Sequence, residues 1–273
     1  MSSETATSVG QVATLWRYPI KSMLGEELPA AQIVGGTLLG DRAFALLDKE
    51  TGKVVSAKNP RKWPELFAFR ASFTTSLSAD GVLPAVSVTL PDGQIITTQQ
   101  SDFDLLMSKA LKREVLLSRT SLAEPHLEEF WPEVEGITYN NVVTDEAMPS
   151  NTFFDLAPIH ILTTSTIDRL RALYPQGRFE ARRFRPNIVV KSEGQDFVEN
   201  AWVGRNLAIG DEVLLSITSA CPRCVMTTLA QGDLPRDLGI LRTAAQYNEA
   251  HVGIYASVLR GGKVRRDDVL RLL

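Results

Sequence analysis

The chain has 273 residues, 44% hydrophobic and 22% charged, with a formal charge of −3 at neutral pH, enough for one large or two modest globular domains. That charge excludes the electrostatic footprint of a nucleic-acid polymer or an anionic membrane partner, and no apolar run is long enough to span a bilayer. Two cysteines do not make a secreted disulfide framework, so a cytoplasmic, reducing setting is expected.

The opening MSSETATSVG is small and polar, with neither the basic region nor the apolar core of a signal peptide, and reads as a frayed tail. Short strands follow. QVATLWRYPI and LPAAQIVGG are β-rich runs ended by Pro or Gly. RAFALLD and KVVSA flank KETG, and AVSVTL and QIITT flank PDG, two hairpin signals. SDFDLLMSKALK predicts a helix, with Ser101 as cap, Asp104 completing a capping box, and Phe103, Leu106 and Leu111 as its apolar stripe. REVLLS predicts a strand. Many short strands with one helix point to an antiparallel barrel or sandwich over residues 1–120.

Residues 121–150 are acidic, carry Pro and Asn, and show weak periodicity. They read as a connecting segment between two units, or as a surface excursion within one. Residues 151–273 form the second unit. APIHILTT is a buried-strand run leading into the helix STIDRLRALYP, capped by Thr164 or Ser165. RPNIVVK, LAIGDEVLLSIT, GIYASVLRGG and DDVLRLL predict strands, and PRDLGILRTAAQYNEA a helix. The fold class expected is mostly β with a few helices (α+β).

Both cysteines lie in ACPRCVMTTLAQGD, as Cys221 and Cys224. A closed zinc site needs four ligands, and none of His126, His160 and His251 is paired at ligand spacing. A redox dithiol sits at a helix N-terminus, whereas VMTTLA here predicts more strand. Two inert buried thiols are a third reading. A fourth takes one thiolate as a ligand. Arg223 precedes Cys224 and favours its thiolate, and a soft thiolate suits a transition metal. One thiolate cannot hold such a metal alone, so the metal would arrive chelated by an organic cofactor. Pro222 offers Cys221 no donor.

Other residues admit two readings each. Lys21 and Ser22 of YPIKSM can bind phosphate or be solvated loop residues. Arg42 of GDRAF can face an anion or form a strand-end salt bridge. Arg178, Arg182, Arg183 and Arg185 are an anion pocket or a solvated face, with Arg182 and Arg183 on a short helix. Pro186 predicts an extended Arg185. Thr163, Thr164 and Ser165 stand where a strand becomes a helix, an anion site or a plain cap.

Taken together, YPIKSM, RFRPNIVV, the AC and RCVMTT segments and the ending VLRGGKVRRDDVLRLL resemble the molybdenum cofactor sulfurase C-terminal (MOSC) domain family. The chain looks most like members with an N-terminal β-barrel domain, among them the mitochondrial amidoxime-reducing component and its bacterial relatives. The resemblance covers nearly the whole chain and implies a second β-barrel, the MOSC domain, over residues 151–273. It implies Mo-molybdopterin as cofactor, held between the two units, with Cys224 as molybdenum ligand and catalytic residue and Cys221 a bystander packed behind it. Lys21, Ser22, Arg42, Thr163, Ser165, Arg185, Asn187 and Arg223 are the implied cofactor contacts. The implied activity is reduction of small N-hydroxylated compounds (amidoximes, hydroxylamines, N-hydroxylated bases). Two cysteines cannot hold an Fe–S cluster and no GxGxxG follows a strand, so electrons are expected from a separate, reductase or ferredoxin-like protein. A carrier of molybdenum cofactor or sulfur would use the same residues. The chain departs from the family pattern at Lys58, where an Arg is frequent, and at Glu199-Asn200 of VENAW, both expected near the site entrance.

Overall fold

The computed structural model describes residues 7–79, 81–119, 123–135 and 141–273. The fold is mostly β, as expected, with a closed seven-stranded barrel. Around the barrel the order is Ile188–Ser192, Ile159–Thr163, His251–Arg260, Val213–Pro222, Asn206–Ile209, Val269–Leu272 and Thr7–Arg17, which closes onto Ile188–Ser192. Only the pair Ile159–Thr163 and Ile188–Ser192 is parallel within the barrel. Helix α2 (Thr164–Leu173) lies in the crossover between these two strands, where a parallel connection demands one. Alternation along the strands sends Val12, Leu15, Ile161, Ile188, Leu215 and Ile254 into one core. Each such side chain contributes roughly 1.5–3 kcal/mol by leaving water.

The barrel is not built from one half of the sequence. Thr7–Arg17 is one of its strands, and Ala30–Val34 pairs with Gly262–Arg265. The expected frayed tail is thus strand from Thr7 onward; its residues 1–6 lie outside the described residues.

A second core forms around Phe44, Phe69, Phe73, Val88 and Met107. It packs a meander of Arg70–Phe73, Val86–Thr89 and Ile95–Thr97, the pair Ala45–Asp48 with Val115–Ser118, and helix α1 (Phe103–Leu111). Ser101 is not the α1 cap: Asp102 stands there without a side-chain bond, and Asp104 accepts from the Leu117 amide at 2.8 Å. The α2 cap is Thr163, accepting from Thr166 N at 3.1 Å, because the strand stops at Thr163 and the helix begins at Thr164, earlier than the run APIHILTT suggests.

Two further differences bear on function. The stretch read as a connection contains an antiparallel pair, His126–Trp131 with Val142–Ala147. Its acidic residues hide the alternation, because they are matched by cations: Lys58 meets Glu129 at 2.9 Å and Lys62 meets Glu128 at 3.4 Å. The segment after Cys224 is a single 3-10 turn, Val225–Thr228, rather than strand. Val225, Met226 and Leu229 pack into the second core with Cys224 against it, so the turn joins the barrel to that core.

Candidate functional site

A cavity of about 240 Å³ opens between barrel-strand residues such as His160 and Tyr255 and the turn at Cys224 and Met226 that packs on the second core. Its walls come from the turn after Tyr18, the loop at Lys58, the acidic hairpin, the strand entry at Asp155, the segment Phe184–Asn187, and the end of the strand carrying both cysteines. Lys21, Ser22, Arg42, Arg185, Asn187, Arg223 and Cys224 all line it, although they are far apart in sequence.

Three of these adopt a left-handed backbone: Ser22 at φ 64°, Arg42 at φ 48° and Arg185 at φ 55°. Each costs about 1 kcal/mol for a residue other than glycine. Such conformations persist where the surroundings impose them, and they cluster at functional sites. Arg185 is therefore not extended as Pro186 suggests. It ends helix α3 (Ala181–Phe184), and the left-handed turn swings its side chain across the barrel mouth. The guanidinium stacks 4.1 Å from the Tyr18 ring centroid, and Nη1 donates to Met23 O at 2.7 Å. Its Nη2 is buried without a partner.

The other cations are held by anions. Lys21 Nζ donates to Asp155 Oδ1 at 2.5 Å and to Phe153 O at 2.8 Å. Burial pulls the Lys21 ammonium down to about 8 despite Asp155. Burial would push the Asp155 carboxyl up, but Lys21 and Lys58 outweigh it and hold the acid well below its usual range. Arg42 pairs with Asp41 and lies over Tyr18 and Phe154. Ser22 Oγ accepts from Ala57 N at 3.0 Å. Asn187 is 1% exposed and spends its amide on Asp41 Oδ2, at 2.9 Å, and on the His160 amide.

The two thiols differ in a way opposite to the sequence expectation. Arg223 does not turn toward Cys224. Its Nη1 donates to Cys221 Sγ at 2.7 Å and its Nη2 to Phe184 O at 2.9 Å, while Nε is buried without a partner. The physical reason is spacing: Cys221 lies at the end of the strand Val213–Pro222, and Arg223 follows it by two residues, the spacing that puts side chains on one face where the chain stays extended. Burial pushes the Cys221 thiol up, but Arg223 and His160 bring it down to about 6. Cys224 stands at the cavity wall, where burial and then the Glu129 charge push its thiol up to about 12. Neither thiol is in a disulfide. Among the described residues no group of three or more His, Cys, Asp or Glu side chains is placed to hold a metal ion.

Other candidates fall outside the cavity. Thr163 Oγ1 donates to Glu199 Oε2 at 2.6 Å, and Ser165 Oγ lies 2.7 Å from Ser192 Oγ. Both hydroxyls thus fasten α2, and Glu199 is buried beneath it and does not flank an entrance. Arg178 and Arg182 form a surface network with Glu180 and Asp233. Arg183 does not face solvent: it is fully buried and donates to the carbonyls of Arg178, Thr227, Leu229 and Pro235. Conversely, Glu129, Trp131, Glu146, Asp155, His160 and Tyr255 line the cavity without having been singled out. No apolar–polar alternation in HLEEFW marks the hairpin residues, because Glu129 is buried along with Leu127 and Phe130.

Comparison with known proteins agrees with this architecture. Residues 9–124 match the family model described as MOSC N-terminal beta barrel domain, and residues 149–271 match the MOSC domain. The chain is 29% identical over 235 residues to mitochondrial amidoxime reducing component 2 of Rattus norvegicus, covering 81% of this chain and 67% of that protein. It is 27% identical over 232 residues to mitochondrial amidoxime-reducing component 1 of Homo sapiens, covering 81% and 66%. The match thus spans about two thirds of the length of these curated relatives. The YUAD protein of Bacillus subtilis, a crystal structure, aligns over 98% of both chains at 10% identity, with a TM-score of 0.48. No helix among the described residues is long and apolar enough to cross a membrane. With both models matched in order along one chain, this protein belongs to the MOSC family, in the form that joins a MOSC N-terminal β-barrel domain to a MOSC domain.

Proposed function

We propose that the chain is a molybdenum cofactor-dependent reductase of small N-hydroxylated compounds, supplied with electrons by a separate protein. The observation that carries this reading is a pair of orphaned cationic donors beside a cavity-lining thiol. Arg185 Nη2 and Arg223 Nε are buried without partners at the wall that Cys224 lines. Unpaired buried guanidinium atoms cost free energy unless an anion meets them, and a planar fork suits a phosphate or the edge of a pterin. The residues present therefore fit an anionic, planar, metal-bearing group. Cys224 is in no disulfide, and a metal that brings its other ligands along would need only this one protein ligand.

When bound, the cofactor supplies two-electron oxygen-removal chemistry that no side chain here provides. Cys224 serves as the protein ligand, Arg185, Arg42 and Arg223 hold the anionic portion, and Ser22 and Asn187 keep those arginines' supporting turns in place. Lys21 and Asp155 act as a pair beside them. The hairpin wall of Trp131, Glu129 and Glu146 faces the remaining space, where substrate would enter. The names of the relatives, amidoxime reducing components, support the substrate class.

The test is metal and pterin analysis of chain made in a cofactor-competent host, followed by turnover of an amidoxime with a chemical reductant. One molybdenum per chain and formation of the amidine are expected. Cofactor without turnover would assign a carrier instead, and absence of both would overturn the reading.

A further inference from the structure

We infer that Cys221 is a positioning residue: as a buried thiolate it is the counter-charge of Arg223 and fixes that guanidinium at the cavity wall. A guanidinium meets its sulfur directly: Arg223 Nη1 approaches to 2.7 Å from the residue just past the end of the same strand. Tyr255, on the neighbouring strand, and His160, on the strand beyond, add polar surroundings that favour the charged sulfur. A thiolate is a far stronger acceptor for a guanidinium than a neutral thiol. Cys221 itself is fully buried.

The surroundings of Arg223 lead to the same assignment. The groups that most strongly favour its charge are Cys221, Tyr255 and Cys224, with no carboxylate among them. A cation set partly inside a protein needs an anion or a ligand nearby, and Cys221 Sγ is the ionisable atom it touches. Asp155 acts on Tyr255 from further away. His160 is itself fixed: its Nε2 lies 3.2 Å from Val252 O, and its ring meets Tyr255 edge-on. Gly253, at φ 81°, leaves room for that ring, since a Cβ there would lie 2.4 Å from Nε2. The thiolate thus sets Arg223 with Nη1 and Nη2 spent on protein and Nε unpaired. The inference rests on the proposed function only for what that arginine then holds.

The first experiment needs no cofactor. In Cys224→Ser chain, Cys221 is the only thiol, and its ultraviolet thiolate absorbance is titrated. The expected midpoint is about 6, and adding Arg223→Gln raises it by about one pH unit or more. A midpoint near about 8.5, the ordinary thiol value, that Arg223→Gln leaves unmoved overturns the inference. The second experiment keeps Cys224 and compares molybdenum per chain. Cys221→Asp, which restores a negative charge, is expected to retain several-fold more than the isosteric but neutral Cys221→Ser. Equal retention by the two overturns the positioning role. Should either variant fail to fold, the titration alone decides. If unaltered chain binds no molybdenum, the proposed function fails while the thiolate titration still stands or falls by itself.

Discussion

Lys58 Nζ and a Glu129 carboxylate oxygen stand 2.9 Å apart, and this bond ties the loop after Ala57 to the acidic hairpin beside Cys224. Both side chains are largely buried, so the pair acts in weakly screened surroundings. Burial first, and then the Glu129 charge, hold Cys224 in its neutral form. Glu129→Gln removes that charge and frees Lys58, and both changes favour the thiolate. In cofactor-free protein, alkylation of Cys224 below its pKa should accelerate about three- to fourfold for each unit by which the thiol drops, the larger thiolate fraction being partly offset by lower nucleophilicity. Mass spectrometry of the labelled peptide measures it. The same variant should lose about 1–2 kcal/mol of unfolding free energy in denaturant, because the buried Lys58 ammonium keeps only Asp155, at 3.9 Å, as counter-charge.

Arg183 and Arg182 are neighbours with different work. Arg183 bridges four carbonyls and so stitches α3 to the segment after Cys224. Arg183→Ala should cost about 3–4 kcal/mol, since several buried carbonyls lose their donor. Arg182→Ala should cost under about 1 kcal/mol, the range of exposed ion pairs. Equal midpoints in chemical denaturation would show that the buried bonds do not carry this load.

Asp155 joins Lys21 at 2.5 Å and Lys58 at 3.9 Å. Its folded-state pKa lies below the unfolded value, so the native state binds fewer protons between the two. Its contribution is complete above the unfolded carboxyl range, about 4, and fades as pH falls toward the folded value. Stability should therefore decline on acidification below about pH 4, and Asp155→Asn should flatten that decline while lowering stability at neutral pH. Lys21 works oppositely. Its folded pKa is depressed to about 8, so its unfavourable share is complete below about 8 and is relieved as pH rises toward the unfolded value, about 10.4. Thermal melts across the two windows separate the contributions.

Cofactor retention should follow cavity position and not helix-cap chemistry. Arg185→Ala should leave the chain with several-fold less molybdenum, because an orphaned guanidinium at the cavity wall disappears. Thr163→Val should leave retention intact, because its hydroxyl serves Glu199 and the α2 cap. It should instead lower stability by about 1–2 kcal/mol, as loss of a cap and a buried bond does. Metal analysis of the two proteins checks the contrast.

Period and turn chemistry, both local, made most strands, α1 and α4 (Gly239–Asn248) legible in the sequence. The motifs around Lys21, Arg185 and Cys224 likewise marked cavity residues, because each is a short run with unusual composition. The acidic hairpin was illegible: its carboxylates look solvated until Lys53, Lys58 and Lys62, far away in sequence, are folded against them. The first strand's place in the barrel was equally hidden, since partner choice depends on contacts formed only when the chain closes. Above all, adjacency in sequence suggested that Arg223 serves Cys224. An extended backbone puts successive side chains on opposite faces, and so the tertiary structure gives that arginine to Cys221 and leaves Cys224 at the cavity wall.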